Sequence, residues 1–436
     1  MQINELDERV YKAVFTEDEN KKREALLQLI REAKSQGTWP ASIKGLYEYF
    51  AKDYPNFTVP AINIRGLTYD VARAAFRKAV QYNVGALIFE IARSEIGYTK
   101  QRPLEYTAVI LSAAVREGYR GPVFLQGDHF QIVKRNFEKD PDAEIDYLKK
   151  LIREAIEAEF YNIDIDSSTL VDLSKDSISE QQRPNFEYTA ILAEHIRSLE
   201  PEGISISIGG EIGEIGHKNS TPEELRAFLD GFNKVFRAKD KGSGSSSGLS
   251  KISVQTGTSH GGIVLPDGSL KQVSIDFETL KVLSEIARKE YGLAGAVQHG
   301  ASTLPEEAFD MFPQVGTAEI HLATGFQNIL YESKVLPSNF RNEVYEYLKK
   351  EFLSEKKEGE TEEQFIYKVR KKGFGALKKR WWDLSEDIKA GLRDELAARF
   401  ELLFKKLRVI NTMEIVRSKV HISRELWQKE KKDILE

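Results

Sequence analysis

Hydrophobic and polar positions follow two rhythms along the middle of the chain. Short apolar runs rich in β-branched residues are TVPAINI (58–64), VGALIFEI (84–91), GPVFLQG (121–127), FYNIDID (160–166), GISISIGGEI (203–212), SKISVQTG (250–257), LAGAVQH (293–299) and TAEIHLA (317–323), each followed by a polar or glycine-bearing turn. Between them lie segments such as YDVARAAFRKAVQY (69–82), EIDYLKKLIREAIEAE (144–159), EYTAILAEHIRSLE (187–200) and ETLKVLSEIARKEY (278–291), whose apolar positions recur at three- and four-residue steps. The first rhythm predicts buried strands and the second amphipathic helices. Eight strand–helix units in succession predict an α/β fold, a parallel (β/α)8 TIM barrel over 56–334, more naturally than a doubly wound sheet.

Residues 1–55 read as an N-terminal helical segment and 335–436 as a C-terminal helical extension. KDKGSGSSSG (239–248) is flexible by composition, either a loop near the barrel mouth or slack before the sixth strand. Trp381 and Trp382 in LKKRWWDL offer an apolar anchor, for which packing within the chain is the simpler use, and Arg341, Arg370 or a neighbour is available to reach the mouth.

Composition narrows the chemistry. The chain has 436 residues and no cysteine, which removes disulfides, thiolate metal sites and a cysteine nucleophile. Its formal net charge of −5 is spread over interspersed acids and bases, so no nucleic-acid or membrane partner is expected. The stretch MQINELDERVYKAVFTEDEN lacks the basic and apolar regions of a secretory signal, and no window approaches a membrane span. The expectation is a cytoplasmic protein acting on a small soluble molecule.

In a TIM barrel the chemistry gathers at the C-terminal ends of the strands. Those ends carry Asn63, Glu90, Asp128 with His129, Asp164 with Asp166, Glu211, His260, His299 and His321. The chain has seven histidines, and four of them fall within about three residues of these ends. Any one histidine reads more readily as a hydrogen-bonded rim residue. Several at equivalent places suit a divalent ion, with His129, His260 and His299 as ligands and Glu211 as a possible fourth. GTSHGG (257–262) and QHGAST (298–303) place a histidine directly before a glycine, where backbone N–H groups can approach an anion or a sugar oxygen, or where a tight turn simply needs glycine.

Taken in order over residues 57–330, VPAIN, GDHF, DIDSS, GGEIGEIG, TGTSHGG and AVQHGAST resemble the motifs of the class II, metal-dependent fructose- and tagatose-bisphosphate aldolase family. The resemblance implies Asp128 as the acid/base at the substrate C4 hydroxyl and His129, His260 and His299 as metal ligands. Glu211 contacts the metal or assists proton transfer, and Asn63, Asp166, Gly261, Gly300 and Ser302 bind substrate. The implied cofactor is a divalent ion, most naturally Zn2+, with Mn2+, Co2+ or Ni2+ as alternatives. A homo-oligomer acting on a sugar or sugar phosphate is expected.

The chain also departs from the family pattern. Its eighth strand reads HLATG in place of Asn-Ile-Asp-Thr-Asp, which puts His321 at the substrate-contacting Asn, Ala323 at the first Asp and Thr324 in the phosphate-binding stretch. Gln126 replaces a histidine often found two residues before the Asp. GEIGEIGHKNSTPEEL runs almost directly into the next helix, so the acidic loop of relatives is shortened and Glu211 or Glu214 has to substitute. The implied reaction is reversible retro-aldol cleavage at C3–C4, with ketohexose 4-epimerisation between fructose and tagatose as the close alternative. A two-metal isomerase and a non-catalytic sugar-binding barrel complete the readings.

Overall fold

A computed structural model describes residues 3–213, 218–239, 248–257, 263–266, 270–271 and 274–420. Eight strands form the barrel: β1 (Val59–Asn63), β2 (Ile88–Ala92), β3 (Gly121–Gln131), β4 (Asn162–Asp166), β5 (Ser207–Glu211), β6 (Lys251–Val254), β7 (Ala296–Gln298) and β8 (Glu319–Leu322). Each pairs in parallel with the next, and β8 closes on β1 with Glu319 opposite Val59 and Leu322 opposite Ile62. Six fall inside the predicted runs, while β2 runs past its own to Ala92 and β3 runs past its own to Gln131. Because helices cover the outside while side chains fill the inside, β1, β2 and β4 are buried along their whole length. That is why they read as continuous apolar stretches rather than as alternating ones.

The crossover helices follow the predicted periodicity, Thr68–Gln81 and Phe277–Tyr291 among them. One differs. The helix expected over 187–200 begins at Ile178 and contains Pro184, which interrupts the sequence pattern; Ser177 caps it by accepting the Glu180 N–H. Within the segment read as helical lies Thr38–Pro40, a strand too short to show a period, which pairs in parallel with Gly121–Val123 of β3.

The N-terminal segment closes the lower end of the barrel. Ile43 N–H donates to Asn162 Oδ1 at 2.8 Å, and Asn162 Nδ2 donates back to the Ala41 carbonyl at 3.1 Å. From the helix Lys44–Lys52, the fully buried Tyr47 hydroxyl donates to the Glu319 carboxylate inside the barrel. The stretch 240–247 of KDKGSGSSSG lies outside the described residues. Its flanks, Lys239 at a helix end and Gly248 before β6, belong to the face opposite the mouth, which favours the reading as slack before the sixth strand over that of a loop near the mouth.

The C-terminal extension packs on the barrel exterior through the helix Glu386–Lys406, where Arg393 pairs with Asp70 and Arg77 donates to Asp394 at 2.9 Å. Trp381 is buried within the chain, edge-on to Tyr331 and Phe340 at 5.2 and 4.9 Å. The turn Arg370–Lys372 and the short helix Gly373–Ala376 lie against the helix Arg93–Thr99 above β2. Glycine is required there, because a Cβ on Gly375 would sit 2.0 Å from the Tyr98 carbonyl oxygen. Among the described residues no helix is long and apolar enough to cross a membrane.

Candidate active site

Neighbouring side chains on a regular strand point to opposite faces, so Asp128 and His129 would not share a site. At the end of β3 the register breaks. Gly127 faces Ile163 on β4 and Phe130 faces Ile165, so three steps on β3 match two on β4, and His129 takes a left-handed φ of 40°. This β-bulge brings both side chains to the lining of one cavity of about 430 Å³. Gly127 is part of the device, since a Cβ there would meet the Phe130 ring at 2.6 Å.

Opposite β3, His299 at the end of β7 turns Nδ1 toward His129 Nε2 at 3.0 Å. The remaining ring nitrogens are occupied. His299 Nε2 lies 3.0 Å from Ser253 Oγ, while His129 Nδ1 lies 3.0 Å from Asp166 Oδ2 and 3.0 Å from Glu211 Oε2. Asp166 is fixed in turn by Gln131 Nε2 at 2.5 Å and by the Ser168 N–H and hydroxyl. It therefore stands behind His129 and orients the ring, as carboxylates do behind metal-bound imidazoles.

Two imidazole lone pairs facing each other at 3.0 Å repel unless a proton or a cation lies between them. Burial opposes a charge on His129, yet the Asp128, Glu211 and Asp166 carboxylates hold its pKa well above the usual value. Burial and the Asp166 charge lift Glu211 to about 7. Such an excess of acid around imidazoles is matched by a divalent ion, and His129, Glu211 and His299 offer donor atoms within 4.8 Å of one another. His260, Gly261 and Glu214 lie outside the described residues.

Asp128 has a donor at each oxygen: His321 Nδ1 at 3.1 Å from Oδ1 and Asn63 Nδ2 at 2.8 Å from Oδ2. Burial would raise its pKa, but His129 and His321 hold it well below the carboxylate range. His321 in turn meets Glu90 Oε1 at 3.2 Å through Nδ1 and Glu319 Oε1 at 2.6 Å through Nε2. With carboxylates on both nitrogens its pKa stays well above normal despite burial. Beneath it Lys251 Nζ reaches Gln126 Oε1 at 2.8 Å, Glu319 Oε1 at 2.5 Å and Asp164 Oδ2 at 2.9 Å. Gln126 Nε2 donates to Glu90 and Glu319, both at 2.8 Å, a bridge between two acids. Glu90 and Asp164, which a two-metal isomerase would need as ligands, are thus already faced by His321 and Lys251.

Gly300, Ser302, Ala323 and Thr324 line the cavity wall beside His321. The Ser302 hydroxyl accepts the Ala323 N–H at 2.7 Å, and Thr324 Oγ1 accepts from Arg65 Nη1 at 3.3 Å. Arg341 and Arg370 turn away, bonded to the Ser333 carbonyl and to Asn328 with Glu332; Lys371 is the extension residue that lines the cavity.

Sequence reading missed Arg65, Glu95, Lys251, Glu319 and Lys371. Glu319 carried a signal, because it sits two residues before His321 on one strand and so shares its inward face. Lys251 opens a strand, where a charge reads as a surface residue.

The family model described as "Fructose-bisphosphate aldolase class-II" matches residues 47–379. Among solved structures, a probable tagatose 6 phosphate kinase from Sinorhizobium meliloti 1021 superposes with a TM-score of 0.54 at 18% identity, over 83% of this chain and 93% of that one. The fructose-bisphosphate aldolase of Campylobacter jejuni gives 0.48 at 18% identity, over 86% and 96% of the two chains. The YdjI aldolase of Escherichia coli K12 gives 0.48 at 13% identity, over 85% and 98%. At 18% identity the likeness to the first of these is one of fold alone. No curated protein sequence matches the chain.

Proposed function

Because the chain belongs to the class II fructose-bisphosphate aldolase family, we propose that it breaks and remakes the C3–C4 bond of a ketohexose or ketohexose phosphate. The observation that carries this reading is the bulge in β3, which sets a carboxylate held by two donors beside the imidazoles of a metal-type donor set. His129 and His299 would hold a divalent ion, most naturally zinc, with His260 and Glu211 as further ligands. When bound, such an ion supplies Lewis-acid stabilisation of the negative charge that builds on the substrate carbonyl side.

Asp128 accepts the C4 hydroxyl proton, the C3–C4 electron pair moves toward C3, and C4 leaves as an aldehyde; in condensation the same carboxyl returns the proton. Asn63 and His321 keep both carboxylate oxygens in place during the transfer. Glu211 either completes the ligand set or, free of the ion, carries the second proton, the one exchanged at C3.

A second reading, ketohexose 4-epimerisation, is favoured by Ala323, which offers only a methyl in the stretch after β8 where the family pattern carries an Asp and holds phosphate. If the aldehyde stays, turns over and recondenses, the C4 epimer results. Incubating the zinc-loaded protein with fructose and with fructose 1,6-bisphosphate, followed by NMR, separates the readings. Trioses mark cleavage and tagatose marks epimerisation; metal-loaded protein that converts neither refutes both.

A further inference from the structure

The β1–β2 side of the mouth holds two cations that the reaction above does not use. Arg65, just past β1, bonds Glu95 Oε1 through Nε at 2.7 Å, and its Nη1 reaches Thr324 and Gln327 at 3.3 and 3.0 Å. Its Nη2 has no hydrogen-bond partner among the described residues. Lys371 arrives from the C-terminal extension, with its ammonium 5.5 Å from the Tyr98 ring centroid and no ion-pair partner among the described residues. Burial, and then the Arg65 charge, push its pKa down. Its neighbours are anchored: Arg370 bonds Asn328 and Glu332 at 2.5 and 2.8 Å, and Lys372 bonds Glu355 at 2.5 Å. A rigid turn therefore holds one ammonium beside a guanidinium that Glu95 already answers, which leaves the ammonium without an anion of its own.

We propose that Arg65 and Lys371 form a subsite for a singly charged carboxylate at C6, which makes the preferred substrate a ketohexuronate. The proposal rests on the retro-aldol reading for its direction. With the carbonyl at the donors of β3, β5 and β7 and C4 at Asp128, the chain Asp128, Asn63, Glu95, Arg65 leads the rest of the sugar toward this pair. Charge selects the carboxylate over a phosphate: Arg65 and Lys371 against Glu95 leave one net positive charge, whereas a phosphate monoester is mostly doubly negative at neutral pH. No other cation on this side makes up the difference, because Arg93 is closed on Glu144.

The test compares kcat/KM of the zinc-loaded full chain for fructose, fructose 6-phosphate and fructuronate, the C6 carboxylate of the same ketose. The expected result is at least a tenfold preference for fructuronate over both others, with the fructuronate-to-fructose ratio falling toward one in Lys371→Met and largely kept in Lys371→Arg. Equal use of fructose and fructuronate, a ratio that Lys371→Met leaves unmoved, or a preference for the 6-phosphate would overturn the proposal. Calorimetric titration of zinc-loaded Asp128→Asn protein with the same compounds separates the subsite from the reaction. Fructuronate binding that weakens tenfold in Asp128→Asn/Lys371→Met upholds the subsite even if no C3–C4 chemistry occurs, and equal binding of fructose and fructuronate rejects it.

Discussion

His321 and Asp128 meet at 3.1 Å, Nδ1 to Oδ1, across the top of the barrel, and this contact joins the Asp128 carboxylate to a buried column of charge. The column alternates in sign from Lys251 through Glu319 and His321 to Asp128. Asp128→Asn removes the proposed proton acceptor and leaves the imidazoles in place. The rate of C3–C4 chemistry should fall by about 10²–10⁴-fold while metal content, measured by plasma emission spectrometry, stays at wild-type stoichiometry. An unchanged rate rejects the assignment.

His299→Ala takes away the nitrogen that faces His129 at 3.0 Å. Bound metal and activity should be lost together. In the intact protein, chelation should lower the thermal midpoint, because an ion that binds only the folded state at 100 times its Kd adds about 2.7 kcal/mol. Full activity in chelated protein would sink the metal site.

Lys251→Met leaves Asp164 and Glu319 without the ammonium that sits 2.9 and 2.5 Å away. Breaking one side of a buried pair costs about 3–5 kcal/mol, to be read from urea unfolding. Adding Glu319→Gln should restore part of that loss, and strict additivity of the two changes would show that the pair is not coupled.

Burial tends to raise the Glu319 pKa, but Lys251 and His321 outweigh it and hold the group at about 2. A carboxyl lowered in the folded state stabilises fully above its ordinary value near 4.5 and loses that contribution as pH falls through about 2. Asp164, which burial raises to about 6, works the other way and loses its contribution as pH rises through that value. Glu319→Gln should therefore flatten the acid limb of stability between roughly pH 4.5 and 2. An unaltered acid limb counts against the charge column.

Gly375→Ala puts a methyl 2.0 Å from the Tyr98 carbonyl oxygen and lifts the extension off the mouth. Overpacking of this kind costs about 1–3 kcal/mol. KM should rise more than kcat falls, because the displaced turn carries Lys371 and not Asp128. A variant with wild-type KM would show that the extension tolerates the shift.

The strands were legible because a covered parallel sheet writes itself as apolar runs, and Asn63, Asp128, His129, His299 and His321 were legible because the runs end at them. Glu95 was hidden because its partners come from two strand ends and a loop, and Lys371 because it crosses from a different part of the chain. Gln126 was read as a departure; its amide is what lets Glu90 and Glu319 lie close beneath His321. The helix start at Ile178 was obscured by a proline that the helix accommodates near its beginning.

The break in register at Gly127 and Phe130 also bears on transplantation. An Asp-His dipeptide written into an ordinary strand of another barrel would aim one side chain at the cavity and the other at the surrounding helices. A designer borrowing this centre has to carry over the extra residue, the glycine before it and the left-handed backbone at the histidine, a conformation that costs of order 1–3 kcal/mol. The portable unit is a kinked segment of backbone, and the two letters have meaning only upon it.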